Sequence, residues 1–233
     1  MRAASLAVGI IGLFGISASL WADEQSTLLL GGVEVSTGAS YTYFGHVTPL
    51  PGSSLGNGLV RKLWIDWSRY RYDKSGSTYD VSAPGAEMAL GYQRASENHW
   101  WAAYAGLAYR HSNLTPDDPT SSIRRSILRP KFQLDGEQTL DQNWKVSASG
   151  SYLTGQQSYW VRGRILRNIW SDRQIGLEAV TQGDPNYHAS QLGIVLLGLK
   201  VGNVVDVGLK VGAQQVSGLS SQAYFGIELG SMY

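Results

Sequence analysis

The sequence predicts an all-β protein, a single antiparallel transmembrane β-barrel of about twelve strands. Three observations favour this fold. Apolar and polar residues alternate over segments of roughly ten to fourteen residues, aromatic residues lie near the segment ends, and glycine-rich connections join the segments. A soluble β-sandwich is the alternative, because its strands also have one apolar and one wet face. The segment lengths and the terminal aromatic residues favour the barrel.

The start of the chain predicts a secretory signal peptide. "MRAASLAVGIIGLFGISASLWA" has one Arg, an apolar run of about a dozen residues and then small residues. A transmembrane helix needs about 20 apolar residues, and this run is shorter and broken by Gly and Ser. We therefore predict cleavage after Ala22, a single barrel domain over residues 23–233, and localisation in the outer membrane of a Gram-negative cell.

Composition excludes several classes of function. The full chain has 19 basic and 18 acidic residues, so loss of Arg2 with the signal peptide leaves 18 of each. A neutral mature chain has no general attraction for nucleic acid. Cysteine is absent, which excludes disulfides, thiolate metal sites and cysteine nucleophiles.

Twelve segments of the mature chain show the alternation. Their ranges are 26–36, 39–48, 58–72, 78–93, 99–111, 121–134, 142–153, 157–168, 173–182, 188–199, 202–213 and 220–233. Ten or fourteen strands are alternatives, because "TYDVSAPG" could belong to a loop. An even number of strands places both termini on the periplasmic side.

Alternation also assigns each side chain to a face. In "VVDVGLKVGAQ", Leu209 is predicted to face lipid and Lys210 the lumen, and in the last strand Ile227 and Glu228 divide in the same way. Changes in a barrel lumen mostly alter selectivity, whereas charges on the lipid face are costly. We therefore expect Leu209→Arg to impair assembly far more than Lys210→Leu.

The predicted lumen contains charged and aromatic side chains. The basic stripe comprises Arg129, Lys131, Lys145, Arg162 and Arg164. The acidic wall comprises Glu34, Glu87, Glu178, Asp206 and Glu228. The candidate sugar-stacking rings are Trp64, Tyr104, Trp160 and Tyr224. Two interpretations are open. The charges either pair across a narrow lumen as a plug or form a transverse field that guides a polar or sugar-like solute.

The sequence predicts no catalytic residue, metal or cofactor. His111 and Ser112 are adjacent, and neighbours on a strand point to opposite faces, so they form a base and nucleophile only where the strand has ended. The four histidines have no metal-ligand spacing. Asp117 and Asp118 lie in "TPDDP", where Asp and Pro suit a turn before they suit a cation site.

Several stretches, in order, resemble the cellulose biosynthesis protein BcsS family of alphaproteobacteria. They are "LLLGGVEVSTGASYTYFG", "WSRYRYDKSG", "GAEMALGYQ", "WAAYAGLAYRHSNLTPDDP", "IGLEAVTQGDPNYHASQLGIVLLGLKVG" and a glycine-rich final hairpin. The "LTPDDP" loop and the run from Gly176 to Gly202 are the most specific of these. The resemblance implies a secreted envelope protein that accompanies cellulose synthesis, with no enzymatic activity to transfer residue by residue.

Together these observations predict a non-catalytic outer-membrane barrel that is an accessory of cellulose or exopolysaccharide biosynthesis or export. The alternatives are a lipid-modifying barrel enzyme of the lipid A deacylase type and a general small-solute pore. The expected partners are outer-membrane lipids and lipopolysaccharide, cellulose or another glucan, and cellulose-synthase components. No nucleic acid is expected among them.

Overall fold

The structure is a computed structural model that describes residues 26–74, 76–118, 121, 125–155, 157–170, 172–184, 187–202, 204–216 and 220–233. These residues form β1 (Leu28–Ser36), β2 (Ala39–Pro49), β3 (Asn57–Lys74), β4 (Ser77–Ala95), β5 (His99–Thr115), β6 (Arg125–Thr139), β7 (Trp144–Leu153), β8 (Ser158–Asn168), β9 (Gln174–Asp184), β10 (Tyr187–Val201), β11 (Val205–Val216) and β12 (Gln222–Met232). Within the described ranges, the chain contains no helix that is long and apolar enough to cross a membrane. The predicted signal peptide lies outside these residues, so its cleavage stays a prediction.

The twelve strands close into one antiparallel barrel in chain order. β1 pairs with β12 from Leu28↔Met232 to Ser36↔Tyr224. Beside this seam the Thr27 N–H donates to the Tyr233 carbonyl oxygen at 2.7 Å. A closed ladder pairs the backbone of every strand on both sides, which a chain segment in hydrocarbon requires. The predicted twelve-stranded barrel is confirmed, and "TYDVSAPG" lies within β4.

Each strand presents one face to the lumen and the other to the outside, as its alternation predicts. On β11, Val211 and Ala213 are exposed on the outer wall, whereas Lys210 and Gln214 are buried inside. β8 repeats the pattern, with Val161 outside and Arg162 inside. Large apolar side chains therefore cover the outer wall, which suits contact with lipid.

β3, β4 and β5 are the long strands of one side of the barrel. They have 18, 19 and 17 residues, whereas β1 has nine. β2 pairs with β3 only as far as Tyr70, and the β3–β4 hairpin continues from Arg71↔Asp80 to Lys74↔Ser77. These strands rise above the β1–β2 turn at the end opposite both termini. We call that end the outer rim, since short periplasmic turns and termini occupy the other end of bacterial barrels.

Candidate functional site: the charged lumen

Six charged side chains from five strands meet in one half of the lumen. This arginine cluster consists of Glu34 on β1, Arg162 and Arg164 on β8, Glu178 on β9, Lys210 on β11 and Glu228 on β12. It contains three cations and three carboxylates. Alternation alone directs each of them inward, because each lies at a lumen-facing position of its strand.

Arg164 is the centre of the arginine cluster. Its Nε donates to Glu178 Oε2 at 2.7 Å, and its Nη2 donates to Glu228 Oε1 at 2.7 Å. The side chains of Arg164, Glu178 and Glu228 are 1%, 0% and 3% exposed. Since β8 and β12 are not neighbours in the sheet, the Arg164–Glu228 pair spans the lumen.

Arg162 and Lys210 complete the cluster. Arg162 Nη1 lies 3.4 Å from Glu228 Oε1 and 3.8 Å from Glu178 Oε2. Lys210 Nζ lies 2.6 Å from Glu34 Oε2, and Gln191 Nε2 donates to the other oxygen of Glu34 at 2.7 Å. The charges balance and are removed from water, so each depends on its partners.

A second group, the lysine cluster, lies on the other side of the lumen. Lys62 Nζ donates to Glu87 Oε1 at 2.8 Å and to Gln133 Oε1 at 2.5 Å. Lys131 Nζ donates to Glu87 Oε2 at 2.7 Å, and Gln133 Nε2 donates to Asp135 Oδ2 at 2.6 Å. These residues come from β3, β4 and β6, so this cluster also joins strands that are not adjacent.

Aromatic rings pack around both clusters. The Tyr43 and Trp64 rings are stacked with centroids 4.7 Å apart, and Lys62 Nζ lies 5.2 Å from the Trp64 ring centroid. Lys62 Nζ is also 5.4 Å from the Tyr104 ring, a distance at which a cation is attracted to an aromatic face. The Tyr224 hydroxyl donates to Glu178 Oε1 at 3.4 Å. The rings thus support the charged network.

Glycine on a neighbouring strand lets two of these rings lie close to the barrel wall. A Cβ at Gly45 would collide with the Trp64 ring, and a Cβ at Gly91 would collide with Tyr104. Gly45 is the register partner of Trp64, and Gly91 is that of Tyr104. Flat rings over glycine fill the lumen without pushing the strands apart.

Most residues of the predicted basic stripe lie in ion pairs. Lys131, Arg162 and Arg164 join the clusters above, and Lys145 Nζ lies 3.1 Å from Glu137 Oε1. Arg129 has an exposed side chain whose Nη1 donates to the Leu128 carbonyl oxygen at 3.2 Å.

The predicted acidic wall meets these cations. Glu34, Glu178 and Glu228 are in the arginine cluster and Glu87 is in the lysine cluster. Asp206 lies apart, 3.4 Å from Lys200 on β10 in a partly exposed pair.

The four candidate stacking rings, Trp64, Tyr104, Trp160 and Tyr224, are all buried. Their part in sugar binding stays a prediction.

Sequence reasoning missed several lumen charges. Lys62 and Asp135 belong to the lysine cluster, and Arg110 Nη2 lies 2.7 Å from Asp66 Oδ1 nearer the outer rim. Alternation would have found Lys62, because it lies two residues before the inward-facing Trp64.

The structure separates His111 from Ser112. β5 continues to Thr115, so His111 lies on the outer wall and Ser112 is buried on the lumen side. Asp118 is buried and accepts a hydrogen bond from the Tyr72 hydroxyl at 3.2 Å. Among the residues that the structure describes, no group of three His, Asp or Glu side chains could hold a metal ion.

Several solved barrels share this fold at low sequence identity. The KdgM porin has a TM-score of 0.54 and 13% identity, with 88% of this chain and 98% of the porin covered. An outer membrane channel from Pseudomonas putida F1 has a TM-score of 0.54 and 11% identity over 96% of this chain and 100% of its own. The transport unit of the autotransporter AIDA-I from Escherichia coli has a TM-score of 0.52 and 7% identity, covering 94% and 92%. These likenesses show an outer-membrane type of barrel.

Sequence comparison is more specific about the family. No curated protein sequence matches the chain significantly. The model of the family described as "Cellulose biosynthesis protein BcsS" matches residues 28–232, which run from the first residue of β1 to the last residue of β12. The chain therefore belongs to the cellulose biosynthesis protein BcsS family.

Proposed function

We propose that this protein is an accessory barrel of cellulose or exopolysaccharide biosynthesis, that its lumen is non-catalytic, and that ion pairs close the lumen in the resting state. The observation that carries the proposal is the pair of bonds from Arg164 to Glu178 and Glu228. Membership of the BcsS family supports the link to cellulose. The outer-membrane type of barrel supports the location.

A closed lumen favours an accessory or scaffold role over an open conduit. Barrels of about eight strands are filled by side chains, whereas about 16 to 18 strands leave an aqueous channel. With twelve strands, this barrel has a lumen of intermediate width, and the two charged clusters and the aromatic rings lie inside it. A glucan without charge would have to displace buried ion pairs, and breaking one such pair costs about 3–5 kcal/mol.

Contact with a polysaccharide remains part of the proposal. The KdgM porin was also solved in a complex with disordered oligogalacturonate, so one barrel of this fold associates with a saccharide chain. For the present chain the corresponding partner is cellulose or another glucan, together with cellulose-synthase components on the periplasmic side. Lipopolysaccharide and outer-membrane lipids surround the outer wall.

Planar-bilayer conductance tests the closed lumen. The wild-type barrel should show little steady conductance. Arg162→Gln/Arg164→Gln should raise it, because Glu178 and Glu228 lose both arginine partners and keep only the more distant Lys210 as a cation. Arg71→Gln is the matched control, since Arg71 pairs with Asp80 on the exposed outer wall. A large steady conductance of the wild-type protein would refute the plug.

Surface cellulose tests the accessory role separately. Deleting the gene should lower the amount of surface cellulose, whereas the double Gln variant should change it only modestly. If instead the double variant lowers cellulose strongly at normal barrel abundance, the arginines guide the polymer. Unchanged cellulose after deletion would contradict the proposed role.

A further inference from the structure

Three polar side chains form a hydrogen-bonded chain on the outer wall, away from the lumen. The Ser126 Oγ lies 2.9 Å from His111 Nδ1, and His111 Nε2 lies 3.0 Å from Asn113 Oδ1. His111 and Ser126 are direct partners in the register of β5 and β6. Strand pairing therefore brings a serine, a histidine and an asparagine together, although Ser126 is 15 residues from His111 in sequence.

The three hydrogen-bonded side chains are arranged like a nucleophile (Ser126), a base (His111) and a group that orients the base (Asn113). With the His111 proton on Nε2, that nitrogen donates to Asn113 Oδ1, and Nδ1 accepts the Ser126 hydroxyl proton. The Tyr109 hydroxyl lies 3.0 Å from Ser126 Oγ and donates to it, because the Ser126 proton points to His111. A hydroxyl hydrogen-bonded to a base that a third group orients is the arrangement used in nucleophilic acyl transfer.

The position of this trio along the barrel axis selects the substrate class. On the outer faces of β5 and β6, the register pair Tyr109↔Leu128 consists of two large exposed side chains and is the last apolar pair before the outer rim. The next outward-facing pair towards the outer rim is His111↔Ser126. The polar trio thus begins where the apolar belt ends, which is the depth of the ester groups of outer-leaflet lipids.

A groove on the same outer wall reaches the trio at Asn113. It has a volume of about 610 Å³, and its lining includes Arg69, Ser82, Asn113 and the Arg71–Asp80 ion pair. Arg69, Ser82 and Asn113 are successive register partners across β3, β4 and β5. The Arg69 guanidinium lies 4.0 Å from the Trp67 ring centroid, just above the lipid-facing belt. Arginine and hydroxyl donors at this depth suit a phosphate on a lipid headgroup.

We infer that the outer wall carries an acyl-ester hydrolase site for phosphorylated lipids of the outer leaflet. Ser126 is the nucleophile, His111 is the base, and Asn113 orients His111. The Arg69 groove holds the phosphorylated headgroup. This activity goes beyond the accessory role proposed for the barrel and does not depend on it.

The reaction balances as an ester hydrolysis. Ser126 Oγ bonds to the acyl carbonyl carbon while His111 Nδ1 takes the hydroxyl proton, and the carbonyl oxygen becomes the oxyanion of a tetrahedral intermediate. The bond from that carbon to the lipid oxygen then breaks, and the leaving alkoxide takes the proton from His111. Water, deprotonated by His111, attacks the acyl-serine, releases the fatty acid and restores the Ser126 hydroxyl.

The test uses the folded full barrel in mixed micelles with two substrates, a glycerophospholipid and purified lipid A. Released fatty acid is measured by mass spectrometry, and a fluorophosphonate probe reports a reactive serine. Ser126→Ala should abolish labelling and lower fatty-acid release about 100-fold or more, and His111→Asn should lower release about as much. Asn113→Ala should retain labelling at a reduced rate. Release from only one substrate identifies the lipid source.

Ser112→Ala is the matched control, because Ser112 follows His111 on β5 but faces the lumen. This variant should label and hydrolyse like the wild type, with the same heat-modifiable migration as evidence of folding. Absence of both labelling and fatty-acid release in the folded wild-type barrel would overturn the inference. Equal activity of Ser126→Ala and the wild type would do the same and would leave the trio as interfacial hydrogen bonding only.

Discussion

The Arg164–Glu228 pair allows a quantitative test of the lumen network. Arg164→Gln removes the cation between Glu178 and Glu228 and leaves two buried carboxylates facing Arg162 and Lys210 alone. Both partners of the pair are at most 3% exposed, so the single change should cost about 3–5 kcal/mol of folding free energy. Glu228→Gln should cost a similar amount. The double variant should lose much less than the sum, with a coupling energy of about 2–3 kcal/mol.

Urea titration of the barrel in lipid vesicles, followed by fluorescence of the seven tryptophans of residues 23–233, measures these free energies. The exposed Arg71–Asp80 pair is the control, because its side chains are 67% and 60% exposed. Breaking that pair should cost less than about 1 kcal/mol. Equal costs for the exposed and lumen pairs, or strict additivity of Arg164→Gln and Glu228→Gln, would refute the view that these charges form one buried network.

Three further predictions concern the barrel itself. Leu209→Arg should cost about 2–4 kcal/mol where the outer wall meets the bilayer midplane, measured by the same titration, and full tolerance would show that the assigned lipid face is wrong. Gly45→Ala should cost about 1–3 kcal/mol because the Trp64 ring must move, whereas Gly163→Ala, which has open space at its Cβ, should be nearly neutral; equal effects would exclude ring packing as the reason. The mature chain should fractionate with outer membrane, resist carbonate extraction and show heat-modifiable migration, and recovery as a soluble periplasmic monomer would contradict the membrane location.

The fold was predictable because its signal is local. In a strand, successive side chains point to opposite faces, so the alternation around Leu209 and Lys210 specifies both faces without knowledge of any partner strand. A run of such strands in a membrane must close, since open edges leave backbone groups unsatisfied in hydrocarbon. These two rules account for the twelve strands and for the inward direction of Arg162 and Arg164.

The partners of those side chains were not predictable in the same way. Lys210 lies within 4 Å of Glu34, Glu178 and Glu228, which come from β1, β9 and β12. Contacts across a lumen depend on barrel radius and strand stagger, which alternation does not encode. The structure therefore changes one expectation: Lys210→Leu leaves buried carboxylates short of a cation and should cost about as much as Leu209→Arg.

The Ser126 site was hidden for a related reason. Sequence reasoning considered the adjacent His111 and Ser112 and found them on opposite faces, as the structure confirms. The serine that meets His111 lies across the ladder, where Ser126 on β6 is the register partner of His111 on β5. Short sequence spacing is thus a poor guide to catalytic pairs on strands, because side chains meet there by register.

The charge balance of the lumen bears on where this barrel could meet a polymer. The arginine cluster contains equal numbers of cations and carboxylates, so it presents no net charge that would draw an anionic chain inward. A neutral glucan gains no ionic contact there and would have to separate pairs that are already made. For an anionic polymer and for a neutral glucan alike, binding at the rims therefore costs less free energy than binding in the lumen. If polysaccharide binds, contacts should map first to the outer rim or to the periplasmic turns, and crosslinks from Arg164 to polymer would show that the lumen opens after all.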